Sequence, residues 1–102
     1  MKKTPSTIPG LTAEAAGWFE RLRADYGITD AAGLLLLQSA AEAFDRLQEA
    51  RRALAKDGAI VTDRFGQPKP HPAAGIERDA RNQMHGALRL LRLAPEPEGA
   101  AE

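Results

Sequence analysis

The segment between residues 54 and 72 constrains the fold of this chain most, because it separates two helix-like runs with a fixed series of breaks. Gly58 follows a long run with helical periodicity, and Gly66 closes an Asp-Arg-Phe-Gly sequence that is typical of a turn. His71 and Pro72 then begin another run with helical periodicity. The series predicts two helices joined by a short extended piece and a defined turn.

The apolar residues favour helices over sheet, since Ala and Leu dominate them and β-branched and aromatic residues are few. A chain of 102 residues corresponds to one domain with a modest core, which self-association would help to stabilise. We therefore expect a mainly α fold of three helices, with a long central helix and a short extended or hairpin joint between helices two and three.

Capping and terminating residues predict where each helix begins and ends. The predicted helix starts are marked by Thr12, Asp30 and Pro72, and the predicted ends by Gly27, Gly58 and Pro95. We expect a mobile N-terminal arm at residues 1–10, a single helical domain at residues 11–95 and an acidic flexible tail at residues 96–102. The central helix would be about 40 Å long at 1.5 Å per residue.

Apolar residues recur at steps of three and four along all three runs, which predicts one buried stripe on each helix. The third helix is expected to bury Ile76, Ala80, Met84, Ala87, Leu88 and Leu91. The C-terminal half of the second helix would project as an arm unless a partner subunit covered Leu47 and Leu54. The residues predicted to form core and subunit contacts are Leu37, Phe44, Leu47, Leu54, Met84 and Leu88. The aromatic residues predicted to lie in the core rather than to stack on bases are Trp18, Phe19, Phe44 and Phe65.

The formal charge of the chain is zero, which counts against a monomer that binds DNA through its net charge. The charge is unevenly distributed, with +1 over residues 58–72, +2 over residues 73–95 and −3 over residues 96–102. The second helix begins Ala-Ala-Gly-Leu-Leu-Leu-Leu and offers no polar side chains to read base edges. The pattern therefore does not indicate a recognition helix.

No motif for catalysis, a metal or a cofactor is visible in the sequence. A phosphate-binding glycine-rich loop is absent, and so is a cluster of potential metal ligands at fixed spacing. His71 precedes Pro72 and is expected to be a helix-entry residue, and His85 is expected to be a solvated or interface histidine. The interpretation is a protein that is not an enzyme and that has no cofactor and no metal.

The chain contains no cysteine, so its fold does not depend on disulfides. It has no signal-peptide core after its N-terminal lysines and no apolar run of the length that spans a bilayer. We expect a soluble intracellular protein without a membrane partner.

Several elements of the sequence, taken in order, resemble the small subunit of phage terminases. They are Leu11-Thr-Ala-Glu-Ala-Ala-Gly-Trp18, Asp30, Ala-x-Asp-Gly58-Ala-Ile-Val, Gly66, His71-Pro72 and Leu91-Arg-Leu-Ala-Pro95. The resemblance covers nearly the whole chain. Two positions differ from the family pattern, with Arg92 where relatives usually carry glycine and His71 where many carry asparagine.

The resemblance implies a non-catalytic subunit of a DNA-packaging machine in the cytoplasm of the bacterial host. Relatives assemble into rings, engage double-stranded viral DNA and regulate a large subunit that holds the ATPase and the nuclease. A ring would multiply weak phosphate contacts without any protomer being strongly basic. The candidate DNA-binding residues are Arg51, Arg52, Lys56, Arg64, Lys69, Arg78 and Arg81. The alternative is a helical oligomeric scaffold with no DNA role.

Overall fold

The computed structural model describes residues 10–92, and the expected arm and tail lie outside this range apart from Gly10. The elements are α1 (Ala13–Asp25), α2 (Ala31–Asp57), β1 (Ile60–Thr62), β2 (Pro68–Pro70) and α3 (Pro72–Leu91). The fold is mainly α, with a two-stranded antiparallel hairpin between α2 and α3. This confirms the predicted class and decides the joint in favour of a hairpin.

The helix starts agree with the predicted caps. The Thr12 hydroxyl accepts the N–H of Ala15 at 3.2 Å, and the Asp30 carboxylate accepts the N–H of Gly33 at 2.8 Å. Each cap satisfies an N–H that has no acceptor within its own helix. Asp45 on α2 also holds Thr12, because its carboxylate accepts the Thr12 N–H at 2.9 Å and the Thr12 hydroxyl at 2.5 Å. The cap of α1 is thereby fixed to the middle of α2.

The predicted glycine stops also hold, whereas α3 ends differently. Gly27 (φ 61°) and Gly58 (φ 84°) follow the ends of α1 and α2 in backbone conformations that suit glycine. Helix α3 ends at Leu91, and Arg92 adopts the left-handed conformation with φ 62° and ψ 34°. Pro95 lies outside the described residues. Arg92 therefore occupies a backbone conformation that favours glycine.

Helices α2 and α3 form the main antiparallel pair of the fold. The buried residues of α3 are Ala73, Ala80 and Ala87, seven residues apart, and they face a stripe on α2 that includes Ala43, Leu47 and Ala50. Because alanine side chains are short, the two helices approach closely along their length. The prediction of a projecting α2 arm is wrong, since α3 of the same chain covers this face and Leu47 is only 2 % exposed.

The core lies at the end of this pair away from the hairpin, where α1 packs across it. Its buried members are Ala15, Phe19, Ile28, Leu37 and Ala41, with Leu11, Trp18, Leu22, Leu34, Phe44 and Leu91 packed against them. Ile76 was expected on the buried face of α3 but is 51 % exposed, because Ala73 and Ala80 define that face instead. One end of the molecule is therefore a packed core, and the other end is a narrow helix pair that carries the hairpin.

Candidate nucleic-acid interface

The hairpin turn is fixed by Asp63. One oxygen of its carboxylate accepts the N–H of Phe65 at 2.8 Å and the N–H of Gln67 at 2.9 Å. Its backbone pairs with Gln67 and with Gly66, at N–H to O distances of 2.9 and 3.0 Å. Gly66 has φ 79°, a conformation that glycine adopts without a steric penalty. These bonds hold residues 63–67 in one geometry and place Arg64 and Phe65 at the tip.

Two prolines limit what the outer edge of β2 can bind. Cross-strand hydrogen bonds join Asp63 to Gln67 and His71 to Ala59. Bonded pairs alternate along an antiparallel ladder, so Pro68, opposite Thr62, and Pro70, opposite Ile60, occupy the pairs that exchange no hydrogen bonds. An N–H group at position 68 or 70 would point away from β1, so the prolines do not interrupt the hydrogen bonds between the two strands. The outer edge of β2 lacks two hydrogen-bond donors as a result.

His71 joins the base of the hairpin to both long helices. Its Nδ1 accepts the N–H of Ala73 at 2.9 Å, so His71 is the N-cap of α3, in agreement with its predicted role at the helix entry. Its Nε2 lies 2.9 Å from Oδ2 of Asp57 at the end of α2. Because Nδ1 acts as an acceptor, the ring proton sits on Nε2 and is donated to Asp57. The His71 N–H also donates to the Ala59 carbonyl at 2.8 Å.

Three of the seven candidate DNA-binding residues lie beside carboxylates. Arg51 and Arg81 both approach Glu77, at 3.5 and 3.6 Å, so one carboxylate between α2 and α3 is shared by two guanidinium groups. Arg78 lies 3.4 Å from Asp79 on the exposed side of α3. Arg51 on α2 therefore makes an ion pair with Glu77 on α3, between the two helices, whereas the pair of Arg81 with Glu77 lies within α3 at i,i+4 spacing.

The other four candidates make no ion pair within residues 10–92, and all four side chains are exposed. They are Arg52, Lys56, Arg64 and Lys69. Arg52 and Lys56 lie one turn apart near the end of α2, and Lys69 is on β2 opposite Val61. The Arg64 guanidinium carbon lies 5.1 Å from the centre of the Phe65 ring. Residues 52–71 carry these four cations against the carboxylates of Asp57 and Asp63, so this end of the molecule is basic.

A second exposed feature is an apolar groove of about 350 Å³ at the core end, where α1, α2 and α3 meet. It is lined by Trp18, Arg21, Leu22, Phe44, Met84 and Leu88. The Trp18 and Phe44 rings pack edge to face with centres 5.4 Å apart. The structure therefore brings three of the predicted packing residues, Phe44, Met84 and Leu88, to one surface. Leu37 and Leu47 are buried within the protomer, and Leu54 is half-buried.

The prediction for Phe65 is wrong. Phe65 was expected in the core, but it is 75 % exposed at the hairpin tip, because the turn carries its ring beyond the reach of the helices. Ile60, on the β1 strand below it, is 61 % exposed. The Asp-Arg-Phe-Gly sequence signalled the turn, but only the direction of the hairpin shows that the ring points into solvent.

Within residues 10–92, no group of three or more His, Cys, Asp or Glu side chains is placed to hold a metal ion. No helix in this part of the chain is both long and apolar enough to cross a membrane.

A family model described as "Phage terminase, small subunit" matches residues 20–101. The match covers most of the chain, including the hairpin and both long helices. No curated protein and no solved structure gives a significant match.

Proposed function

The chain belongs to the phage terminase small subunit family, whose general role is in DNA packaging, and from this premise we propose that it engages double-stranded viral DNA as a homo-oligomeric ring. The observation that carries the proposal is the division of the molecule into two surfaces. The hairpin end presents Arg52, Lys56, Arg64 and Lys69, which make no ion pair with any carboxylate among residues 10–92, and the core end presents an apolar groove.

Electrostatics explain why DNA binding needs the oligomer. A protomer with zero formal charge neutralises few phosphates, and its affinity for DNA is correspondingly low. Repetition of the basic hairpin end around a ring adds these weak contacts through effective concentration. Arg51, Arg78 and Arg81 contribute less than the other candidates, since each already lies beside Glu77 or Asp79.

The groove at the core end supports association between copies. Phe44, Met84 and Leu88 expose apolar surface that a protomer alone leaves in contact with water. We propose that a second copy of the chain covers this groove. The assembled form then acts in the host cytoplasm as the non-catalytic partner of the terminase large subunit and regulates the ATPase and nuclease of that subunit.

The proposal is tested by the light-scattering mass of the purified chain, followed by DNA binding of the resulting species across a salt series. We expect a ring-sized mass and an affinity that falls as salt rises, with a slope of about −0.9 for each phosphate neutralised. Adding the ring to the large subunit should change the rate of ATP hydrolysis. An oligomer without salt-sensitive DNA binding would favour a helical scaffold, and a monomer indifferent to DNA would overturn the proposal.

A matched pair of variants locates the DNA surface. Arg52→Ala with Lys56→Ala removes two cations from the hairpin end, and Arg89→Ala with Arg92→Ala removes two exposed cations from the opposite end of α3. Both pairs change the net charge equally. We expect only the first pair to lower the salt slope of the assembled protein. Equal effects of the two pairs would show that the hairpin end is not the DNA surface.

A further inference from the structure

The exposed aromatic ring at the hairpin tip is unexplained by packing. Phe65 is 75 % exposed, and its ring lies against the neighbouring guanidinium of Arg64. A large apolar side chain at the apex of a projecting turn adds nothing to the core of the protomer. The same tip carries a cation and points away from the helices. Phe65 and Arg64 thus present a flat apolar ring and a positive charge side by side at the tip.

The hairpin tip is also restrained by hydrogen bonds and prolines. A side chain that separates stacked groups in a binding partner needs such a rigid support. The Asp63 carboxylate fixes the turn through the N–H groups of Phe65 and Gln67. Pro68 and Pro70 restrict the backbone of β2. At the base of the hairpin, His71 bonds to the Ala59 carbonyl and to Asp57.

The charges around the tip suit a polyanion. Arg64, Lys69 and Lys56 are exposed on the hairpin or at its base. The carboxylates of this end are turned to protein donors, since Asp63 accepts the turn amides and Asp57 accepts His71. An apolar pocket on another protein would have no need of this excess of cations, whereas a nucleic acid offers both phosphates and stacked rings.

We propose that Arg64 and Phe65 form a wedge that enters the DNA minor groove, with the Phe65 ring inserted between two base pairs and Arg64 lying along the groove. This mode rests on the proposed DNA-binding function and specifies its geometry. Apolar side chains inserted from the minor groove unstack one base step and kink the duplex. An arginine beside the ring is drawn to the negative potential of a narrow, A·T-rich groove. The hairpin would then select deformable DNA without reading base edges.

The experiment uses the full chain in its assembled form and a duplex of about 30 base pairs that is rich in A·T steps. One strand carries 2-aminopurine at successive positions, and the two ends carry a fluorescence energy-transfer pair. For the unmodified protein we expect 2-aminopurine emission to rise at the wedged step and the ends of the duplex to move closer. A minor-groove ligand such as netropsin should compete with binding.

Single substitutions distinguish insertion of the Phe65 ring from nonspecific binding of the hairpin to DNA. Phe65→Ala should lower affinity about 10-fold or more and abolish both fluorescence changes, while Phe65→Trp should retain them. Ile60→Ala is the matched control, because it removes an apolar side chain that is 61 % exposed on the same hairpin but away from the tip. It should leave both signals unchanged. Arg64→Ala should lower the salt slope by about one.

The outcomes distinguish the wedge from the proposed function. DNA binding without 2-aminopurine emission or bending, or binding that Phe65→Ala leaves unchanged, would overturn the wedge and leave the DNA-binding function standing. Complete absence of DNA binding by the unmodified assembly would overturn both. A fall in oligomer mass on Phe65→Ala would also overturn the wedge, because it would assign Phe65 to a contact between copies.

Discussion

Nε2 of His71 lies 2.9 Å from Oδ2 of Asp57, so one histidine joins the last residue of α2 to the first turn of α3 across the base of the hairpin. The same ring caps α3 through Nδ1. A single side chain therefore satisfies a helix N-terminus and fixes the separation of the two helices at the hairpin end. Asparagine at this position would present its side-chain oxygen to the same N–H.

Replacement of His71 should separate its two roles. We expect His71→Ala to lower the free energy of unfolding by about 1–2 kcal/mol, because it removes the cap and the bond to Asp57. His71→Asn should retain the cap and recover about half of that loss. Urea unfolding followed by circular dichroism measures both variants. Equal loss in the two variants would show that the cap contributes nothing.

The end of α3 offers a stabilising substitution. Arg92 has φ 62°, which costs a residue with a Cβ atom about 1–2 kcal/mol. We expect Arg92→Gly to raise the free energy of unfolding by up to about 1 kcal/mol, the strain relief being offset in part by the flexibility of glycine in the unfolded chain. Arg92→Ala removes the same charge and keeps the strain, so thermal unfolding should show no gain. A gain in Arg92→Ala as large as that in Arg92→Gly would contradict the strain argument.

Two helical glycines should respond in opposite directions to alanine. A Cβ atom at Gly17 on α1 would meet no heavy atom within 4 Å, so Gly17→Ala should stabilise the protein by about 0.5–1 kcal/mol through helix propensity. A Cβ at Gly33 would lie 2.8 Å from Cγ2 of Ile28 and 2.9 Å from Oδ1 of Asp30. Gly33→Ala should therefore destabilise it despite the better propensity of alanine.

Thermal and urea unfolding of the two glycine variants provide the comparison. Gly33 sits beside the cap of α2 and the buried Ile28, so its substitution displaces both. If Gly33→Ala were as stable as Gly17→Ala, the close packing of the turn between α1 and α2 would be refuted.

The apolar groove provides a test of association. Leu88→Glu places a charge among the apolar side chains of the groove, whereas Leu90→Glu places the same charge on a side chain that is 70 % exposed on the same helix. We expect the first variant to lower the light-scattering mass and the second to leave it unchanged. If Leu88→Glu disturbs folding, Met84→Gln provides the test instead, because it is a milder change in the same groove and should also lower the mass. An unchanged mass in both groove variants would remove this surface from the subunit contact.

Local signals made much of the fold predictable. Thr12, Asp30 and Pro72 mark helix starts through local effects. A capping side chain accepts an N–H of the first helical turn, and proline fixes its own φ at a helical value. Gly27 and Gly58 mark helix ends because a glycine just after a helix readily adopts a positive φ, which stops the helix without any distant contact. The periodic apolar residues gave the correct number of helices for the same reason.

Features that depend on distant parts of the chain were not predictable in this way. Periodicity placed Ile76 on the buried face of α3, yet the short side chains of Ala73 and Ala80 define that face once α2 approaches. The pairing of Arg51 with Glu77 likewise follows from the α2–α3 contact, whereas Arg81 pairs with Glu77 at i,i+4 spacing within α3. Charge alone therefore ranked Arg51 equally with Arg52 and Lys56.

The sequence by itself determined the three helix starts, the ends of α1 and α2, the turn and the neutral charge of the chain, because capping, glycine conformation and composition do not depend on distant contacts. Only the tertiary structure decided which cations have no carboxylate partner in the described part of the chain, and that the Phe65 ring is exposed to solvent. It also decided that Phe44, Met84 and Leu88 share one groove. These relations depend on the antiparallel packing of α2 and α3, which brings residues more than thirty positions apart into contact, as the 37-residue separation of Arg46 and Gln83 shows.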